Sequence, residues 1–346
     1  VYGDGTGTTS NLRHEESAQM DGDTIRDQFV PNAIVATYYG NTDGGARTAQ
    51  YGQTRIPSHI VGHVDRLKRK GEGEEAMQVV VIGGGFIGQL VQLAIPEARV
   101  LDWRKTPPAD HLETRVGPQY LWEPIDGVPS SAFLVTTLVD GMEPTDDAIL
   151  RYKRKIGKES DGGDWGLQFQ HEMVGWSSQL PKPRVEYDQM VRMVDLRSHV
   201  LGMTDRLIEY DILVSTIPLP ALLALLITGP EYDINGFKSD PIYMSDSDLP
   251  ASVEGMTLDY ISDPLNPWYR HTHIGIKKYM ESIHPQLGCR RIVPGKIHPY
   301  ADSERVLAQL ELNGCFCFGR FATWRPDELA HQTWQSILKW KKAVGL

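Results

Sequence analysis

Residues 78–88 read Gln-Val-Val-Val-Ile-Gly-Gly-Gly-Phe-Ile-Gly. Four β-branched residues in a row, Val79 to Ile82, suit a short strand covered on both faces, as the inner strands of a parallel sheet are. The run leads directly into G-x-G-x-x-G, filled by Gly83, Gly85 and Gly88. Apolar residues then recur at helical spacing from Phe86 to Ile95, where Pro96 stops the pattern. Each glycine has its own physical task. Gly83 permits the tight turn, Gly85 lets the backbone approach a pyrophosphate, and Gly88 lets the helix pack closely on the strand. The helix start adds free N–H donors and the positive end of a dipole, which together attract an anion. Arg99 to Trp103 reads as a second strand, and Asp102 lies 19 positions after Gly83, where a carboxylate accepts hydrogen bonds from an adenosine ribose. Strand, glycine turn, helix, strand and acid, all within about 26 residues, predict a βαβ dinucleotide-binding unit. This unit alone does not separate NAD(P) from FAD.

The rest of the chain is organised around that unit. With 346 residues, 40% hydrophobic and 23% charged, it is long enough for one or two sizeable cores. The most apolar stretch, Ile212 to Ile227, is interrupted by Pro218 and Pro220, so no membrane span is expected. Lys and Arg number 35 against 45 Asp and Glu, and a net charge of −10 gives no global attraction to a phosphate backbone. Cys289, Cys315 and Cys317 are too few for a disulfide scaffold or a four-ligand zinc site, which suits a reducing, cytoplasmic setting. The first 76 residues are rich in Gly, Thr, Asn and Asp and read as a loop-rich extension with one apolar run, Ala33 to Tyr39. They close on the charge-dense segment 66–76, and a domain is expected to begin at Met77. Further on, alternating apolar residues mark strands at Met190–Leu196 and Leu207–Leu213. A strand at Cys315–Phe318, a turn at Gly319-Arg320 and a helix from Pro326 to Lys342 complete a mixed α/β pattern.

Several other residues have chemistry to weigh. His271 and His273 fall on one strand face, as a metal pair or as ordinary polar surface, and no metal site is expected. Cys315 and Cys317 share a face of a buried strand and read as core. Trp165 and Trp176 flank a glycine-rich bend and would either roof a substrate cavity or pack in a core. Arg151, Lys153, Arg154, Lys155 and Lys158 form a basic stretch, read as a solvated loop or as a contact for a phosphate-bearing substrate. No paired carboxylates, G-x-S-x-G or Cys/His nucleophile spacing is present.

Four segments together resemble the flavoprotein superfamily of UDP-galactopyranose mutase, protoporphyrinogen oxidase and the amine oxidases. They are the glycine turn with Asp102; Gly117-Pro118-Gln119-Tyr120-Leu121-Trp122; Tyr210-Asp211 through Pro218; and Gly319-Arg320-Phe321-Ala322 with Trp324. The resemblance covers Met77 to about Trp340. It implies an α/β fold of the glutathione-reductase-like kind, with a Rossmann-like FAD domain from 77–125, 185–225 and 310–346 and a mixed-sheet substrate domain from 126–184 and 226–309. It also implies FAD held by Gly83, Gly85, Phe86, Ile87, Gly88, Asp102, Trp103 and Arg104, with Gly319 and Arg320 at the diphosphate and the helix start at Asp327 or Glu328 at the ribityl chain. Arg270 would position substrate, Lys296 would act like the flavin-side lysine of amine oxidases, and Gln119, Tyr120, Tyr269 and Trp324 would line the substrate space. The activity implied is hydride removal from an amine or alcohol carbon by an FAD-dependent oxidoreductase. The alternatives are a non-redox mutase or lyase, or a non-catalytic dinucleotide-binding module. The substrate would be a small molecule or a polymer-linked group, and a nucleic acid would enter only as substrate.

Overall fold

The computed structural model describes residues 77–102, 120–158, 168–178, 180, 184–186, 190–228 and 233–346, all of which fall in one compact unit. The expectations for residues 1–76, Trp103, Arg104, Gln119 and Trp165 lie outside the described residues. In chain order the elements begin with β1 (Val79–Ile82), α1 (Phe86–Ala94), β2 (Arg99–Leu101), β3 (Ser130–Val139), α2 (Asp146–Lys155), β4 (Glu172–Ser178) and β5 (Val185–Glu186). There follow β6 (Met193–Asp195), β7 (Val200–Gly202), β8 (Leu207–Glu209), β9 (Ile212–Ser215), α3 (Leu219–Leu225) and β10 (Leu226–Thr228). The last third holds β11 (Ser239–Tyr260), β12 (Arg270–Ser282), β13 (Arg290–Ile297), α4 (Ser303–Leu312), β14 (Cys315–Cys317), α5 (Arg320–Thr323) and α6 (Ala330–Val344).

Three sheets result. One is wholly parallel in the order β14-β9-β1-β2-β5, a second runs β10-β6-β7-β8, and a mixed sheet runs β12-β11-β3-β4 with β13 also on β11. The α/β class expected from sequence, a Rossmann-type parallel sheet beside a mixed-sheet part, is the one observed. Every residue of β1 and β9 is buried because both faces are covered. Val80, Ile82 and Leu213 pack into a core with Leu219, Leu222 and Trp324. Val79, Val81, Ile212 and Val214 pack with Leu90 and Val91 of α1 and with Trp334 and Ile337 of α6. Each such aliphatic burial stabilises the fold by about 2 kcal/mol. Among the described residues no helix is long and apolar enough to cross a membrane.

The structure corrects three sequence expectations. The run Leu207–Leu213 is two strands in different sheets: Tyr210 N–H donates to His199 O, whereas the Asp211 and Ile212 N–H groups donate to Gln78 O, so the chain changes sheet between them. The Asp211 carboxylate then accepts from Gln78 N–H at 2.9 Å, pinning the start of β1. Arg151 to Lys155 lie not in a loop but in the second half of α2, where Lys153, Arg154 and Lys155 oppose the negative end of the helix dipole. Two of these cations also hold the loop that precedes β12, through Lys155 Nζ to Trp268 O at 2.7 Å and Arg151 Nε to Ser262 Oγ at 3.5 Å. Finally, the last helix begins at Ala330, with the single-turn helix α5 before it.

The β11–β12 ribbon bends sharply on itself. Its pairs Asp248↔Lys277 and Met256↔Ile274 mean that β11 uses eight residues (256 − 248) where β12 uses three (277 − 274), and this surplus curls the ribbon. Gly255 (φ 71°) and Gly275 (φ 54°) lie in the bend with left-handed backbones that only glycine adopts readily. As a result the two ends of β12 meet: Tyr269 N–H donates to Glu281 O at 2.9 Å.

Candidate cofactor and substrate site

The three glycines of the β1–α1 turn are explained by different neighbours. Gly83 has φ 112°, donates its N–H to Leu101 O at 2.7 Å, and a Cβ there would lie 2.4 Å from Thr216 Oγ1. Thr216, just past β9, donates its hydroxyl to Gly83 O at 3.0 Å and its N–H to Ile82 O at 2.9 Å, which braces the turn from the neighbouring strand. A Cβ at Gly88 would lie 1.9 Å from Gly83 O, so the close helix-to-turn approach expected there is real. Gly85 differs. It is exposed, a Cβ there would meet nothing within 4 Å, and it precedes α1 as an N-cap without a side-chain hydrogen bond. Among the described residues nothing requires glycine at that position. Open space beside an uncapped helix start is the geometry that suits an anion such as a phosphate. Asp102 is wholly buried just beyond β2, and Phe86 and Ile87 are half-buried in the first turn of α1.

The Gly319-Arg320 turn reaches the same place. Gly319 has φ 92°, and a Cβ there would stand 2.8 Å from Ile87 Cγ1, so the turn rests on the glycine helix. Arg320 is exposed, with Nε 3.4 Å from Glu328 O, and Asp327 is exposed beside it. Glu328 has both carboxylate oxygens occupied, accepting from Thr333 Oγ1 at 2.6 Å and from Thr323 Oγ1, so it ties α5 to α6. The start of α6 is shifted from the expected Asp327 to Ala330 because the Gln332 side chain accepts from Leu329 N–H and sets the first turn there. Trp324 is not in a substrate space. It is 2% exposed in the core, its ring edge-on to Phe237, and its indole N–H donates to His298 O at 2.9 Å.

His298 lies two residues beyond Lys296, so the Trp324 bond docks the Lys296 end of β13 onto the Gly319 turn. Around Lys296 the fold collects Tyr269, Arg270 and Glu281. The Glu281 side chain is buried; it accepts from Arg270 Nη2 at 2.5 Å and from the Tyr269 hydroxyl. Lys296 Nζ sits 4.1 Å from the centre of the Tyr269 ring, a cation–π contact. Arg270 Nε is buried with no hydrogen-bond partner among the described residues. Tyr120 is half-buried nearby, and burial, with Tyr260 next, pushes its phenol well above the ordinary value.

The electrostatics of this group follow from burial. Loss of water lowers the Lys296 amine to about 8, Arg270 and Lys158 add to the effect, and Glu281 and Asp240 oppose it. Burial alone would raise Glu281, but the charge and hydrogen bond of Arg270 and the bond from Tyr269 hold its carboxyl below the usual range. At the exposed edge His298 Nε2 and Asp240 Oδ2 are 2.9 Å apart, and this bond raises the imidazole and lowers the carboxyl. His271 and His273 do share one face of β12, paired with Asp259 and Thr257. Burial, then Lys278, takes His271 down to about 4, and among the described residues no group of three metal-ligating side chains forms. Cys315 is buried and Cys317 half-buried in the parallel sheet, as core residues are. Trp176 is half-buried on β4 and bridges to Leu121, which packs it against the chain leaving Tyr120.

Sequence reasoning assigned Gly83, Gly85, Gly88, Gly319 and Arg320 to the cofactor and gave Tyr269, Arg270 and Lys296 separate roles on the substrate side, without grouping these three. It missed Glu281, which carries no local motif and meets Arg270 only because the ribbon curls.

No protein-family model matches the sequence, and no curated protein matches it. Solved structures do. Reduced UDP-galactopyranose mutase superposes with a TM-score of 0.52 at 11% identity, over 78% of this chain and 94% of that one. A conjugated-linoleic-acid-producing fatty acid isomerase from P. acnes gives 0.47 at 10% identity, over 77% and 98%, and glycine oxidase from Bacillus cereus gives 0.40 at 9% identity, over 77% and 96%. With a glycine-turn parallel sheet joined to a mixed sheet across nearly the whole mutase, the chain has the fold of UDP-galactopyranose mutase.

Proposed function

We propose that the chain is an FAD-dependent oxidoreductase that removes a hydride from a carbon next to nitrogen or oxygen. The observation that supports this most is Gly85, the one exposed, uncrowded glycine of a turn whose other two glycines are fixed by the protein's own packing. Bound FAD would supply a hydride acceptor. In this reading Gly83, Gly85, Gly88 and Asp102 hold the ADP half, and Gly319-Arg320 reaches the diphosphate from the other side. The parallel-sheet segments, 77–125, 185–225 and 310–346, make the FAD part, and the mixed sheet makes the substrate part. Arg270, whose side chain is only partly buried, positions substrate. Lys296, with its amine near 8, is close to half-neutral just above neutrality, so Nζ accepts the proton that an amine or alcohol gives up as its hydride leaves. The buried surroundings of Glu281 and Tyr269 keep water from that end of the site.

The test is direct. Purified chain mixed with FAD should take on the visible flavin bands, and anaerobic addition of amines or alcohols of the right class should bleach them. A chain that stays colourless and takes up no FAD overturns the reading; one that binds FAD but is bleached by no amine or alcohol removes the oxidoreductase part alone.

A further inference from the structure

Neighbouring residues of a flat strand point to opposite faces, so Tyr269 and Arg270 would not ordinarily reach one carboxylate. Here both do, because the coiled ribbon brings the two ends of β12 together at Glu281, which also accepts the Tyr269 N–H through its carbonyl. One buried acid therefore controls three features at once. It holds the phenol of Tyr269, whose ring is the platform under Lys296 Nζ. It occupies Arg270 Nη2, while Nε stays buried without a hydrogen-bond partner among the described residues. It also supplies the negative charge beside two cations that would otherwise be buried together.

We infer that Glu281 is the positioning residue of this site, clasping Tyr269 and Arg270 so that the guanidinium is held in one orientation and the Lys296 ammonium has its platform and counter-charge. The inference rests on the reading of Arg270 and Lys296 as substrate-side residues. The charged groups that face Lys296 are Arg270 and Glu281 from β12, Asp240 opposite it on β11, and Lys158 beyond α2, with Tyr269 beneath. Of these, Glu281 and Asp240 favour the charged amine, while Arg270 and Lys158 disfavour it. A clasp of this kind predicts that the Lys296 proton depends on Glu281 even when the fold and FAD uptake do not.

The experiment follows the Lys296 Cε resonance against pH in full-length protein carrying 13C-labelled lysine and supplied with FAD, assigned by its absence in Lys296→Arg. The wild-type midpoint is expected near 8. Glu281→Gln should lower it by about one unit, with the visible flavin spectrum unchanged. An unchanged midpoint in folded Glu281→Gln overturns the inference. Should that variant not fold, Glu281→Asp is read in its place, since the shorter side chain draws the charge back from Arg270, Tyr269 and Lys296. A fall in the same direction is expected, and an unmoved midpoint overturns the inference equally. Loss of FAD uptake by the wild type sinks the proposed function but leaves this titration readable, so the two failures are distinguishable.

Discussion

The two ends of the site are built from different material. At the glycine turn the contacts are backbone and empty space: a positive-φ residue, a carbonyl that tolerates no Cβ, and a helix start with no side-chain cap among the described residues. At the Glu281 clasp they are side chains, with a buried carboxylate, a guanidinium, a phenol and an amine stacked in sequence. Backbone sites depend on shape and tolerate no added atom. Charged clasps depend on mutual neutralisation and tolerate no missing partner. The same fold thus holds one region vulnerable to addition and another vulnerable to removal.

Mutations can break that contrast. The largest effect is expected from Glu281→Ala, which strands the Arg270 charge and the Tyr269 hydroxyl in the interior and should destabilise the protein by about 4 kcal/mol in urea unfolding. Gly88→Ala comes next. It forces a methyl to within 1.9 Å of Gly83 O, and an overpacking cost of about 3 kcal/mol is expected in the same assay. Removing the Thr216 hydroxyl by Thr216→Val should cost about 1 kcal/mol, because Gly83 O loses that donor while the β9 backbone bonds persist. Gly85→Ala sharpens the comparison most, since its Cβ meets no described protein atom within 4 Å. Stability should hold within about 0.5 kcal/mol while FAD uptake is lost, and equal loss of both would show that the space belongs to the protein.

The smallest effect concerns His298 and Asp240. The imidazole is raised above its ordinary 6.5, so its contribution is complete below that pH and disappears as pH climbs through the raised folded value. The carboxyl is lowered below its ordinary 3.8, so its contribution is complete above that pH and disappears as pH falls through the depressed folded value. Both side chains are about half exposed, so His298→Ala should cost under about 0.5 kcal/mol at pH 6 and less at pH 9.

How much of this was legible in sequence depended on locality. The β1 turn was readable because its glycines, strand and helix lie within one short segment and each residue type has few conformational uses. The same applies to Gly319, whose positive φ is a local demand. Trp324 misled because a tryptophan after a glycine-arginine turn suits an open site as well as a core, and only Phe237 and His298, from other elements, settle its place. The Leu207–Leu213 run misled because alternation does not reveal where a chain changes sheet. Glu281 was invisible for a third reason. Its partners are brought to it by a bend that arises from unequal residue use in two paired strands, a property of the register rather than of either strand alone.

The Thr216 brace has a further consequence for synthesis of the chain. The residue that secures the Gly83 carbonyl is made 133 positions after it, and β14, which flanks β9, follows about a hundred residues later still. At ordinary translation speeds β1 waits on the order of ten seconds for β9. Throughout that interval Val79 to Ile82 is an uncharged β-branched strand with an unpaired edge, the kind of segment that joins to other nascent chains. Truncated products that end before Ile212 are therefore expected to aggregate, and chaperone demand should fall once β9 has emerged.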